Sequence, residues 1–200
     1  SIATYCLPCA LLNMKNKFPT INFNLTSDTS NKIEQDVLSD ICEVGFITRP
    51  PEEKELTSEN VVNEKVVLIS PNSYDLPEKI KLEDVLDKKF VVLKEECIIK
   101  ENFKKALNKM GSSIDDIEVI AELETTEAMK TLVRKGFGIA FVPYNSVRDE
   151  FFTKELNISK ITDYSLDYDI YMINKKPEYL SENVKDFINR FIKLGNNICY

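Results

Sequence analysis

The sequence predicts an α/β protein built from two units. Strand-like and helix-like segments alternate along nearly the whole chain, and one long polar connection, residues 71–88, interrupts that alternation near its middle. The 200 residues are 43% hydrophobic and 30% charged, a globular composition, with length for one large domain or two small lobes.

Residues 2–17 read as a helix that ends before Phe18-Pro19, and Ile21, Phe23 and Leu25 then alternate with polar residues at the period of a strand. Asn31 is expected to open a second helix. Glu34 would be its capping partner, and Ile33, Val37, Leu38 and Ile41 its apolar face. Val44–Ile47 is a short strand that Arg49-Pro50-Pro51 ends, and Val61–Ser70 is a longer one stopped by Pro71. The 71–88 connection holds a short helical turn near Leu82–Leu86. Phe90–Leu93 is a continuous apolar strand. A helix over about 100–110 follows, with Phe103, Ala106, Leu107 and Met110 on one side and Gly111 as its stop. Glu118–Ala121 is a strand, Glu127–Lys135 a helix closed by Gly136, and Ile139–Val142 a strand stopped by Pro143. A short helix near 145–151 precedes strands near 158–162 and 169–173. Ser181 caps a last helix whose apolar stripe is Val184, Phe187, Ile188, Phe191 and Ile192. Such alternation predicts a largely parallel sheet with helices on both faces. Sheets of that kind bind ligands beyond the carboxyl ends of their strands.

Composition excludes several function classes. The 26 basic and 33 acidic side chains give a net charge of −7, which disfavours unaided binding to nucleic-acid phosphates. Histidine is absent, which removes Ser-His-Asp and Cys-His chemistry and any metal site that needs imidazole. No apolar run approaches the ~20 residues of a membrane span, and no signal peptide opens the sequence. Five scattered cysteines (Cys6, Cys9, Cys42, Cys97, Cys199) fit a reducing cytoplasm better than a disulfide scaffold. Cys6-Leu7-Pro8-Cys9 has redox-pair spacing, but its apolar neighbours favour a packing role. No cofactor motif is present, and no acid-base or nucleophile constellation is singled out by spacing, so an enzyme is not expected.

Glu122–Val147 reads E-L-E-T-T-E-A-M-K-T-L-V-R-K-G-F-G-I-A-F-V-P-Y-N-S-V. This stretch resembles LysR-type transcriptional regulators, in which a Ser/Thr precedes a Glu-Ala helix and a V-x-x-G-x-G-I-x-x-x-P strand follows. Ser1–Pro8 is similar to the family's first helix, Phe18-Pro19 to its Y-P turn, Leu38–Ile47 to its G-x-x-D-L-A-I passage, and Leu82–Lys94 to its L-x-x-L-x-x-x-P-x-I-L-x passage. The resemblance implies an effector-sensing domain of the type II periplasmic-binding-protein kind: two Rossmann-like lobes joined by two crossing strands. Lobe I would be 1–69 plus 165–200, and lobe II 70–164. The family's DNA-binding helix-turn-helix domain and linker helix precede this domain and are not among these residues. Neither is the strand the family usually has just before its first helix. The resemblance further implies a homodimer or tetramer in the cytoplasm, DNA contact only through that other domain, and no membrane partner. A transporter's solute-binding receptor shares the fold and is the alternative. A prephenate-dehydratase-like enzyme is a third reading, without its catalytic residues.

A small anionic effector in the inter-lobe cleft is the expected ligand, because helix starts carry unpaired N–H groups and partial positive charge. Three starts qualify: Ser1 with Ile2, Ile98 to Lys100, and Thr125 with Thr126. The family resemblance implies effector hydroxyls at Ser1, Thr48 and Thr125, and a cation at Lys100. Arg49 lies beside Thr48. Each has a plainer alternative: a terminal residue for Ser1, a turn for Thr48, a solvated charge for Arg49, a surface helix charge for Lys100 and an N-cap for Thr125. Cys97, with Glu96, Ile98 and Ile99, replaces the family's Gly-Ser-rich loop. It forms a bulkier apolar wall or a thiol sensor.

Overall fold

A computed structural model of the protein describes residues 7–94 and 97–194. Its helices are α1 (Leu7–Lys17), α2 (Ser30–Leu38), α3 (Ile98–Lys109), α4 (Thr126–Arg134), α5 (Arg148–Phe152) and α6 (Glu182–Leu194). Its strands are β1 (Gly45–Ile47), β2 (Leu56–Glu64), β3 (Val66–Ser70), β4 (Lys79–Ile80), β5 (Phe90–Leu93), β6 (Val119–Leu123), β7 (Ala140–Pro143), β8 (Asn157–Ile161) and β9 (Tyr168–Lys175).

The chain divides into two compact units: Ser1–Asn63 with Asp169–Tyr200, and Glu64–Tyr168. The division falls earlier in the chain than 69/70 and later than 164/165. Near the first boundary, Lys65 splits the expected Val61–Ser70 strand into β2 and β3. Every residue of β3 is buried, because β3 lies inside the second unit's sheet, of order β4-β8-β3-β7.

In the first unit, β1 and β2 flank β9, with β1 antiparallel to β9 (Phe46 opposite Met172). Val37 on α2 packs with Ile47, Leu56 and Ile173. Gly45 permits this contact: a Cβ there would lie 2.6 Å from the Ile33 Cγ2 atom. The α6 stripe is as patterned. Phe191 is fully buried and meets Phe46 at a tilt, 5.0 Å between ring centroids, while Ile192 stands at the edge. Ile21 and Phe23 keep the alternating exposure of a strand but form no ladder; Phe23 is held by its ring contact with Phe187 instead.

The second unit is mixed rather than largely parallel. β3 runs antiparallel to β7 and β8, whereas β4–β8 and β5–β6 are parallel. β3 precedes the strand–helix alternation and is tied to it by the 71–88 connection, so no crossover helix forces it parallel. That connection holds the unforeseen β4 and a 3₁₀ turn at Leu82–Val85. Met129 and Val133 of α4 pack on Val67, Ile69, Val91 and Val142. On the other side, Phe103 of α3 meets Phe90 and Phe141 at 5.4 and 4.8 Å between centroids.

A parallel bridge between Phe90 and Ile139 links β5 to the start of β7. It is closed by Ile139 N–H to Lys89 O (2.8 Å) and Val91 N–H to Ile139 O (2.9 Å). Gly138 makes this approach possible. Its φ is +157°, and a Cβ would sit 2.5 Å from the Lys89 carbonyl oxygen. Gly138→Ala is therefore expected to cost about 1–3 kcal/mol. Equilibrium urea unfolding followed by circular dichroism measures the loss; an unchanged midpoint would refute the close approach.

Candidate functional site

β5 and β6 are adjacent and parallel, and their last residues, Leu93 and Leu123, stand opposite each other. The Lys94 N–H donates to the Leu123 carbonyl at 2.8 Å and holds the two ends level. Beyond that edge the chain turns into α3 on one side and α4 on the other. Two helix starts thus emerge at the carboxyl ends of neighbouring parallel strands, where first-turn N–H groups lack intrahelical partners.

The two starts are capped differently. Thr125 is the N-cap of α4: its backbone is extended and its Oγ1 accepts a hydrogen bond from the Ala128 N–H at 3.2 Å. Thr126 follows as the first helical residue and is half-buried. Cys97 occupies the same place on α3 but its side chain makes no capping hydrogen bond. Lys100 is not a surface helix charge. Its side chain is 10% exposed, and Nζ donates to the carbonyls of Leu93 (3.1 Å) and Lys94 (3.4 Å), with Glu122 at 3.9 Å. A concavity of about 340 Å³, part of it open to solvent, lies here. Cys97, Ile99, Lys100, Phe103, Met129 and Phe141 line it along β5. Ile98 is half-buried beside it in sequence.

In the first unit, Thr48 follows β1. Its N–H donates to Ser30 Oγ at 3.3 Å and its hydroxyl lies at the same distance from that oxygen, which ties the end of β1 to the start of α2. Arg49 is neither a freely solvated charge nor bare. Its Nη2 reaches Glu34 Oε2 at 2.7 Å and Asn31 Oδ1 at 2.6 Å. Glu34 is not a capping partner. Thr29 caps α2, accepting from the Lys32 N–H, and the helix begins one residue before Asn31. The buried Glu34 carboxylate instead accepts the N–H groups of Glu52 (2.6 Å) and Glu53 (3.0 Å). Burial pushes its pKa up, but the N–H groups of Glu53 and Glu52 and the Arg49 guanidinium outweigh burial and hold it below the ordinary value.

Two further buried charges escape the sequence reading. Lys130 of α4 is 3% exposed, and its Nζ reaches Ser146 O (2.6 Å), Glu127 Oε1 (2.7 Å) and Glu150 Oε1 (2.6 Å). Its i,i+3 spacing from Glu127 was the available signal. Glu64, at the end of β2, receives the Asn145 amide at 3.3 Å on both oxygens, and burial pushes its pKa up. Ser1 and Cys6 lie outside the described residues. Cys42 and Cys97 are free thiols, and burial raises the pKa of Cys42. Among the described residues no helix is long and apolar enough to cross a membrane.

Two α/β units connected by two passages of one chain, with helix starts gathered at the carboxyl edge of a parallel strand pair, define a ligand-binding domain of the periplasmic-binding-protein type. The chain belongs to the LysR substrate binding domain family, which it matches over residues 1–194. Among solved structures it is similar to the Synechocystis PCC6803 CcmR regulatory domain in complex with 2-PG (TM-score 0.84, 20% identity, 98% of this chain and 93% of that one). It is also similar to the effector binding domain of QuiR in complex with shikimate (TM-score 0.81, 16% identity, 98% and 93%). A probable RuBisCO transcriptional regulator of Trieres chinensis is 29% identical over 98% of this chain and 66% of its own length. The chain thus spans just under two-thirds of that curated relative. The family is one of substrate-binding domains.

The pKa of Glu34 is lower folded than unfolded. Its ionised form therefore stabilises the first unit above about pH 4.3, and that contribution is lost as pH falls through the folded value. The stability advantage of wild type over Glu34→Gln is expected to shrink on acidification below that point. Urea unfolding at a series of pH values tests this; a difference independent of pH would contradict it.

Proposed function

We propose that the chain is the effector-sensing portion of a LysR-type transcription regulator, and that a small anionic metabolite docks at the starts of α3 and α4. One observation supports this reading: in a chain of this family, the parallel strands β5 and β6 end level, and each leads into a helix. Unpaired amides and the helix dipoles favour an anionic group there. Thr125 and Thr126 add hydroxyls that donate or accept without a buried charge. The Cys97, Ile98 and Ile99 wall offers contact to an apolar part of the ligand. Thr48 and Ser1 are assigned further hydroxyl contacts. Arg49 is assigned a place beside Thr48, and Lys100 shapes the start of α3 through the carbonyls at the end of β5. The ligands named for the similar structures, 2-PG and shikimate, support a small acid as the class.

In this reading the effector favours one conformational state over another by its difference in affinity for them. A homodimer or tetramer in the cytoplasm passes that bias to DNA-binding domains outside these residues. The name of the Trieres chinensis relative supports the link to transcription.

A thermal-shift screen of small carboxylates, phosphates and hydroxy acids tests the proposal. A ligand at 100 times its Kd adds about 2.7 kcal/mol, read as a raised Tm. Thr125→Ala should lose about 1 kcal/mol of stability with the cap and also weaken the hit, while Thr125→Ser keeps both. A hit whose affinity survives Thr125→Ala and Thr48→Ala unchanged would place the ligand elsewhere. No hit with a folded protein would overturn the reading.

A further inference from the structure

The charges behind the start of α4 have a feature that scaffolding alone does not need. Lys130 Nζ is buried between two carboxylates and the Ser146 carbonyl. Ser146 is itself fixed by donating to the Pro143 carbonyl at 2.6 Å. Glu150, with its side chain 15% exposed, suffices to compensate a buried ammonium. The second carboxylate comes from Glu127, 57% exposed and the second residue of α4. A carboxylate in a helix's first turn interacts favourably with the positive end of the dipole. It therefore competes with any anion that arrives at the same turn.

We propose that Lys130 sets the anion affinity of the α4 start by drawing the Glu127 carboxylate back along the helix and offsetting its charge beside Thr125 and Thr126. Lys130 is thus a positioning residue that touches no ligand. The proposal rests on the reading that the α4 start receives the effector's anionic group. It explains why a lysine is buried in a helix whose neighbours Met129 and Val133 serve an apolar core. It also accounts for a glutamate at a turn offered to anions.

The test is calorimetric titration of the full chain with sulfate and with inorganic phosphate, in wild type, Lys130→Met, Glu127→Gln and the double variant. Lys130→Met should weaken binding about three- to tenfold, as expected for a uncompensated charge at close range in a partly solvated site. Glu127→Gln should bind at least as tightly as wild type, and in the Lys130→Met background it should restore most of the loss. A loss that persists undiminished in the double variant marks Lys130 as structural only and overturns the proposal. Should Lys130→Met not fold, Glu150→Gln decides. With its rival neutral, more of the Lys130 charge acts on Glu127 and anion affinity should rise; unchanged or lower affinity is the overturning result. A wild type that binds neither anion, nor any acid in the screen, overturns the functional reading and this proposal with it. Binding by wild type with additive variant effects overturns only the proposal.

Discussion

The register between β5 and β6 is the constraint on which the candidate site depends. Phe90 pairs with Val119, but Val91 pairs with Ala121, so β6 takes one extra residue at the start of the ladder. From there the strands run level to Leu93 and Leu123. Without that irregularity Leu93 would face Glu122, and the two strands would not end level. The close approach at Gly138 secures the same strand from its other side, through Lys89 and Val91.

Much of this was legible in the sequence. Phe90–Leu93 is apolar without interruption because it is covered on both faces, and both α3 and α4 carry a buried stripe with a positive-φ glycine just after them, Gly111 and Gly136. What was hidden has physical reasons. The break at Lys65 lies inside a run whose two halves have the same β-forming character, and only pairing partners more than 70 residues away decide where each half belongs. Ile21–Leu25 alternates like a strand, but alternation reports one covered side and not a neighbouring strand. Glu34 has the spacing of a capping residue, yet the amides of Glu52 and Glu53, distant in sequence, outbid the helix end.

The same limit governs the site. Helix starts, hydroxyls and the Cys97 wall are local properties, so sequence places them. The fate of a charge is not local. Arg49 and Lys100 read as cations available to an anion, and both are engaged by the scaffold: one by a buried carboxylate, the other by strand-end carbonyls. What the proposed site would then offer a ligand is amide and hydroxyl. Donors of that kind discriminate by geometry and hydrogen bonding more than by net charge.

The two units also differ in how the chain supplies them. The second is one uninterrupted stretch, 64–168, and its two ends are pinned together by Asp167, which pairs with Lys65 at 3.0 Å and accepts the Val66 N–H at 2.9 Å. The first is assembled from the segments on either side of it, and β9 and Phe191 complete a sheet and core begun more than 100 residues earlier. During synthesis the inserted unit therefore has all its partners while its host is still missing a central strand. The order of emergence from the ribosome favours early folding of the insertion and leaves the apolar faces of α2 and β1 waiting for β9 and α6.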